Sequence, residues 1–142
     1  MIWKQKPPLA DLQKMCANTM CEHLGMNFTD IGDDSLTATM PVDHRTKQPA
    51  GLLHGGASVA LAESLGSIAS ALCLSGEATM PVGIEINANH LKSATSGLVT
   101  GTCRPIRIGH SVHVWNIEIH NEAQELVCVS RLTVMIVPRK KS

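Results

Sequence analysis

At 142 residues the chain is the length of one domain with a single core. Hydrophobic residues make up 44%, and twelve Lys and Arg balance twelve Asp and Glu. It can therefore bury a core, but it carries no net field for a polyanion. Trp3, Phe28 and Trp115 are the whole aromatic complement, too few to stack bases, so nucleic acid drops out as a partner. The expectation is one domain over residues 1–142 that handles a small molecule. Cysteines stand at Cys16, Cys21, Cys73, Cys103 and Cys128, an odd number with no CxxC pair. The N-terminal MIWKQKPPLADLQKM has no apolar secretory core, so reduced packing thiols and a cytoplasmic location are expected. The basic tail from Pro138 to Lys141 reads as solvated.

Leu9, Leu12, Met15 and Cys16 after Pro7-Pro8 predict a short amphipathic helix. A strand-like stretch at residues 23–29 reaches a turn at Gly32-Asp33-Asp34-Ser35. Leu36, Ala38 and Met40 then alternate with Thr37 and Thr39, the period of a half-buried strand. A loop punctuated by Pro49 and Gly51 follows. Residues 57–74, rich in Ala, Ser, Leu and Gly, predict a buried helix; Glu63 and four serines argue against a membrane span. Gly76 supplies its stop. Four strands are predicted next, at roughly 82–91, 97–105, 111–120 and 126–137, with short breaks that favour antiparallel pairing. The fold class is α+β, one long helix against a curved antiparallel sheet.

Between Lys47 and Glu77 the only charged residue is Glu63, mid-helix among apolar neighbours. A carboxylate buried without a partner is costly, and that cost ordinarily surfaces as a raised pKa. Two readings compete: a structural carboxylate tied down by hydrogen bonds, or a nucleophile or general base tuned by burial. His54-Gly55-Gly56 directly before the helix favours the second. Glycines let a ligand approach, and free N–H groups at a helix start can hold a developing oxyanion. Glu63 lies about 10 Å along the axis from Gly56, too far for both to act on one carbonyl. A second subunit could bring its own Glu63 beside Gly55 if two long helices pair antiparallel, and Ala60, Ser64, Gly66 and Ser67 are small enough to allow it. Gln48 and His54 offer further polar contacts, although His54 could simply bond a turn. Ser67, one turn beyond Glu63, could orient the carboxylate or bond back to its own helix. Arg104 and Arg107 with His90 and Lys92 form a candidate cationic patch for phosphate. His110 and His113, three apart on a strand, point to opposite faces and make a poor metal pair.

The run from Gln48 to Ser58 (QPAGLLHGGAS), with Ala62-Glu63-Ser64 and Gly66-Ser67, resembles the hotdog-fold acyl-CoA thioesterases. It is nearest their 1,4-dihydroxy-2-naphthoyl-CoA branch of menaquinone biosynthesis and their enterobactin proofreading branch. The likeness covers nearly the whole chain, including Met40-Pro41-Val42-Asp43, residues 85–90 and Ser130-Arg131-Leu132-Thr133. It implies a central helix wrapped by an antiparallel sheet, dimers with composite sites, and usually a dimer of dimers. It implies Glu63 as the catalytic carboxylate and the Gly55 N–H as the group polarising the thioester carbonyl, with Gln48, His54 and Ser67 assisting. Coenzyme A contacts are implied at Gly83, at His90, Leu91, Lys92 and Ser93, and at Arg107, Ile108, Gly109, His110, Ser111 and Val112. Ala50 and Ala71 stand where relatives tend to carry aromatics, which implies a wider acyl pocket if either lines it.

The expected function is hydrolysis of acyl-CoA thioesters with an aromatic acyl group, without metal or redox cofactor, coenzyme A entering only as part of the substrate. Alternatives are proofreading on an acyl- or aryl-carrier protein and a non-catalytic acyl-CoA-binding module; the second would not need a charge inside the helix. A hotdog dehydratase would place a histidine and a carboxylate at a spacing absent here. No membrane partner is expected.

Overall fold

The computed structural model describes residues 1–141. Its elements are α1 (Leu9–Met15), α2 (Met20–His23), β1 (Asn27–Ile31), β2 (Leu36–Pro41), α3 (Gly55–Leu72), β3 (Thr79–His90), β4 (Leu98–Ile108), β5 (Val112–His120) and β6 (Leu126–Pro138). The six strands form one sheet in the order β1-β2-β4-β5-β6-β3, every pairing antiparallel. The α+β architecture expected from the sequence is the one observed. Among the described residues no helix is long and apolar enough to cross a membrane.

The core lies between α3 and one face of the sheet. Leu36, Ala38 and Met40 of β2 are fully buried while Thr37 and Thr39 are half-buried, as the period of two requires. His113, Trp115, Ile117 and Ile119 of β5 and Leu132 and Val134 of β6 point the same way. Leu61, Ala62, Leu65 and Ala69 of α3 meet them. Helix and sheet approach closely because Gly101 offers no side chain: a Cβ there would lie 2.8 Å from Leu65 Cδ1. Each fully buried leucine contributes about 1.5–3 kcal/mol through area removed from water. No disulfide joins the five cysteines, four of which are buried; burial pushes the Cys73 thiol up to about 11.

Several boundaries differ from the sequence reading, β3 among them, which begins at Thr79 rather than near residue 82. The segment 20–23 is a single helical turn rather than the start of a strand, and β1 begins only at Asn27, after Gly25 turns the chain at φ +74°. The long helix starts at Gly55 because the His54 side chain caps it, and it ends at Leu72. β4 continues past Pro105 through a bulge to Ile108. The proline is accommodated because β2, the neighbour on one side, stops pairing at Cys103, so no ladder bond is lost there.

The N-terminal residues strap the far end of α3. Lys4 and Gln5 N–H groups donate to the Leu72 carbonyl at 2.8 and 3.0 Å. Trp3 Nε1 donates to the Gly32 carbonyl at 2.6 Å, and its ring lies parallel to Trp115 at 6.4 Å.

Candidate active site

The loop before α3 is held from several sides. Buried Thr46 donates its hydroxyl to the Pro41 carbonyl at 2.6 Å and accepts from the Asp43 N–H. Arg45 reaches Asp43 at 2.7 Å and holds its carboxyl down at about 2. His54 N–H donates to the Thr46 carbonyl and Leu53 N–H to the Ala94 carbonyl, both at 2.8 Å. With the backbone fixed, His54 Nδ1 accepts the Gly56 N–H at 2.8 Å. That nitrogen carries no proton in this geometry, so the N–H sits on Nε2. Ala57 and Ser58 N–H groups donate to the His54 carbonyl. The Gly55 N–H alone of these first donors has no acceptor among the described residues.

Gly55 opens on a cleft of about 390 Å³ lined by Gln48, Leu52, Leu53, Ser58, His90, Leu91, Lys92, Ser93 and Val127. The His90 ring packs directly on Gly55, where a Cβ would come within 2.9 Å of Nε2. Gln48 Oε1 accepts the Ala50 N–H, while the Gln48 side-chain amide hydrogens have no acceptor among the described residues. The apolar wall of Leu52, Leu53 and Val127, with Ser58, was not singled out from the sequence. Leu52 and Leu53 abut the HGG run, which was the available signal, whereas Val127 arrives only through the β3–β6 pairing.

Glu63 sits eight residues beyond Gly55, about 12 Å along the helix axis. The full burial expected for it is corrected here: in this chain Glu63 is half-buried. Val59, Ala60, Glu63, Ser64, Ser67, Ile68 and Ala71 form one half-buried stripe at three- and four-residue spacing, because the sheet packs mainly on the opposite face of α3 and this one is reached at its margins, by Gly83 at Glu63 and by Cys21 Sγ 3.5 Å from Ser64 Oγ. No hydrogen bond joins Ser67 to Glu63 among the described residues. Beneath Glu63 lies Gly83, where a Cβ would be 2.6 Å from Glu63 Oε1. Gly83 borders a bulge in β3, an edge strand hydrogen-bonded only to β6.

The residues expected to meet coenzyme A separate into three places. His90, Leu91, Lys92 and Ser93 share the cleft with Gly55. Gly83 is packed on Glu63. Ile108, Gly109, His110 and Ser111 line a second cavity of about 480 Å³ with His113, Ile136 and Pro138, flanked by Arg107 and Val112. The single cationic patch of Arg104, Arg107, His90 and Lys92 does not form within one chain. Arg107 shares a cross-strand row with Val114, Thr133 and Glu85, about 16 Å along β3 from His90. Lys92 pairs with Glu125 at 2.7 Å, and Arg104 contacts Asp34 at 3.4 Å. His110 is exposed and His113 buried. Ala50 and Ala71 do not line the cleft: Ala50 is exposed and Ala71 lies on the α3 stripe.

Residues 50–128, more than half of the chain, match the family profile of the Thioesterase superfamily. The chain belongs to this superfamily. It is 56% identical over 137 residues to the 1,4-dihydroxy-2-naphthoyl-CoA hydrolase of Escherichia coli, covering 96% of this chain and 100% of that one. It is 47% identical over 137 residues to the proofreading thioesterase EntH of Cronobacter sakazakii, covering 96% and 99%. Among solved structures, a thioesterase from Haemophilus influenzae superposes with a TM-score of 0.94 at 49% identity, over 97% of this chain and 96% of that one. This thioesterase is thus a thioester hydrolase of the hotdog fold. Two Staphylococcus aureus structures, each 42% identical over 84% of this chain with TM-scores of 0.82 and 0.81, carry single substitutions. One replaces a glutamate and the other a glutamine by alanine, fifteen positions apart; Gln48 and Glu63 are also fifteen apart.

Proposed function

We propose that this thioesterase hydrolyses aromatic acyl-CoA thioesters, of the 1,4-dihydroxy-2-naphthoyl or benzoyl type, at a site shared by two subunits. The observation that carries the reading is the free Gly55 N–H at the mouth of the cleft, with Glu63 about 12 Å away on a half-buried stripe of the same helix. Pairing two α3 stripes antiparallel, with β3 edges side by side, sets the Glu63 of one subunit against the Gly55 of the other. The thioester carbonyl accepts from the Gly55 N–H, strengthened by the helix N-terminus, as negative charge develops on its oxygen. Gln48 contributes its unclaimed amide hydrogens, and His54 presets the N-terminal turn. The Glu63 carboxylate attacks the carbonyl carbon or takes a proton from the attacking water, with Ser67 beside it. Coenzyme A leaves as the thiolate, and on the nucleophilic route water then cleaves the mixed anhydride, freeing the acid and the Glu63 carboxylate. The chemistry needs a carboxylate, a donor and water, and no metal or further cofactor.

Leu52, Leu53 and Val127 give the acyl group an apolar wall. His90 to Ser93 receive the pantetheine side, and the Arg107–Val112 segment takes the nucleotide end. A thioester on an aryl-carrier protein is the second reading, favoured by the 47% identity to EntH. A non-catalytic binding module is disfavoured, because a half-buried carboxylate opposite a free N–H adds nothing to mere binding. Release of free thiol from naphthoyl-, benzoyl- and straight-chain CoA thioesters, with Glu63→Ala in parallel, tests the proposal. Glu63→Ala should lower kcat by about 10²-fold or more with unchanged melting; an unchanged kcat refutes it.

A further inference from the structure

A buried polar chain ties the C-terminal third of α3 to the turn between β4 and β5. Trp115 Nε1 donates to Ser70 Oγ at 2.7 Å, and Ser70 Oγ lies 3.1 Å from His113 Nδ1. All three residues are essentially inaccessible, at 0%, 0% and 2% exposure for Trp115, Ser70 and His113. Indole can only donate, so Ser70 accepts from Trp115; with the ring's own N–H directed at the Gly109 carbonyl, His113 Nδ1 is left to accept the Ser70 hydrogen. Nδ1 is then an acceptor and the imidazole N–H resides on Nε2. The other polar neighbour of the ring is the Gly109 backbone carbonyl. The ring also stands edge-on to Trp115 at 6.3 Å, which limits its tilt.

The turn so approached is otherwise held by backbone bonds and by one exposed side-chain contact, His110 Nδ1 to Ser111 Oγ at 3.4 Å. Gly109 N–H donates to the Val112 carbonyl at 2.9 Å, and Ile136 N–H donates to the Ser111 carbonyl at 2.8 Å. The side chains of His110 and Ser111 are exposed on the rim of the 480 Å³ cavity, and His113 forms part of its floor. None of this network reaches Glu63 or Gly55. A neutral imidazole of fixed tautomer, wedged between the central helix and an exposed turn, has no part in the hydrolytic step.

We infer that His113, held by Ser70, is a positioning residue that sets the Gly109–Ser111 turn to receive the nucleotide end of the substrate. The inference rests on the assignment of Arg107–Val112 to that end. It makes Ser70, near the C-terminal end of α3, a support for binding, while Gly55 and Glu63 carry the chemistry.

The test compares benzoyl-CoA with the benzoyl thioester of N-acetylcysteamine, which has no nucleotide. His113→Phe should raise KM for benzoyl-CoA about tenfold, the scale of one buried hydrogen bond, and leave kcat within about twofold. The kcat/KM for the short thioester should not change. His113→Gln retains an N–H donor for the Gly109 carbonyl and should recover most of the KM. Ser70→Ala should shift KM the same way and serves where His113→Phe does not fold. Arg107→Ala separates the two assignments. If Arg107→Ala raises KM for benzoyl-CoA and the His113 and Ser70 variants do not, the positioning role is overturned and the nucleotide assignment stands. If none of the variants changes KM, both are overturned. Equal losses of kcat on both thioesters would mark His113 as a general packing residue and also overturn the inference.

Discussion

Mixing two inactive variants tests whether the site is shared between subunits. Within one chain Gly55 and Glu63 are about 12 Å apart along a rigid helix, whereas reacting atoms must approach to about 3–3.5 Å. No side-chain rotation closes that gap, since Glu63 is packed over Gly83 on the flank of α3. Gln48 belongs with Gly55, because both line the same cleft. Glu63→Ala and Gln48→Ala therefore damage opposite halves of a shared site. In a mixed dimer one site carries both lesions and the other carries none. Random reassortment makes about half of the dimers mixed, each with one sound site, so about a quarter of wild-type activity should return by symmetry. The assay is thiol release from benzoyl-CoA after the two purified variants are unfolded together and refolded, against each refolded alone. Both variants alone must be strongly impaired for the comparison to have contrast. If the mixture gives only the mean of the separate activities, Glu63 and Gln48 act in the same subunit and the composite site is refuted.

Two further outcomes depend on local geometry. Gly83→Ala would place a methyl 2.6 Å from Glu63 Oε1, and displacing the carboxylate by about 1 Å should cost about 10²-fold in kcat with little change in melting temperature; undiminished kcat would show that this seat does not matter. Burial holds the His113 pKa below its ordinary 6.5, so below that pH the unfolded chain takes up a proton that the folded chain resists. The stability tied to neutral His113 is complete above pH 6.5 and is lost as pH falls through its lowered folded value. Urea midpoints of wild type and His113→Gln measured at pH 7.5 and 5 should diverge on acidification, wild type falling further; parallel curves would refute this.

The sheet and long helix were legible because their patterns are strict. Leu36, Ala38 and Met40 alternate without exception, and an eighteen-residue stretch rich in Ala, Ser and Leu with one charge suits only a helix buried on most sides. What was not legible had a local physical cause. The turn at Met20–His23 is too short to show a helical period, and its stop depends on the left-handed Gly25. The two-residue shift at the start of α3 comes from a side-chain bond, His54 Nδ1 to the Gly56 N–H, which composition cannot reveal because glycine disfavours helix. The passage of β4 through Pro105 depends on where β2 ends, a fact of register.

The site shows a more instructive divergence. Isolation among apolar residues correctly marks Glu63 as unusual, yet the fold of one chain leaves it half-buried on the same stripe as Ala60, Ser64 and Ser67. The sheet satisfies the opposite face of α3 with Leu61, Leu65 and Ala69, so the lack of any charge but Glu63 along the stripe is not explained by the core of this subunit. A solvated helix face ordinarily carries Lys, Glu and Arg, which cover apolar surface and keep helices apart. Their absence here, beside a β3 edge with hydrogen-bonding capacity on its outer side, is what a second α3 packing at close range would require. The same reasoning explains the divided coenzyme A positions. Residues 90–93 and 107–112 lie at opposite ends of the sheet in one chain, and in the proposed pairing, whose two-fold axis passes α3 near Val59, midway between Gly55 and Glu63, the end of one subunit comes toward the opposite end of the other. The proposed two-subunit site gives the scarcity of charge along the stripe and the divided substrate positions one common cause.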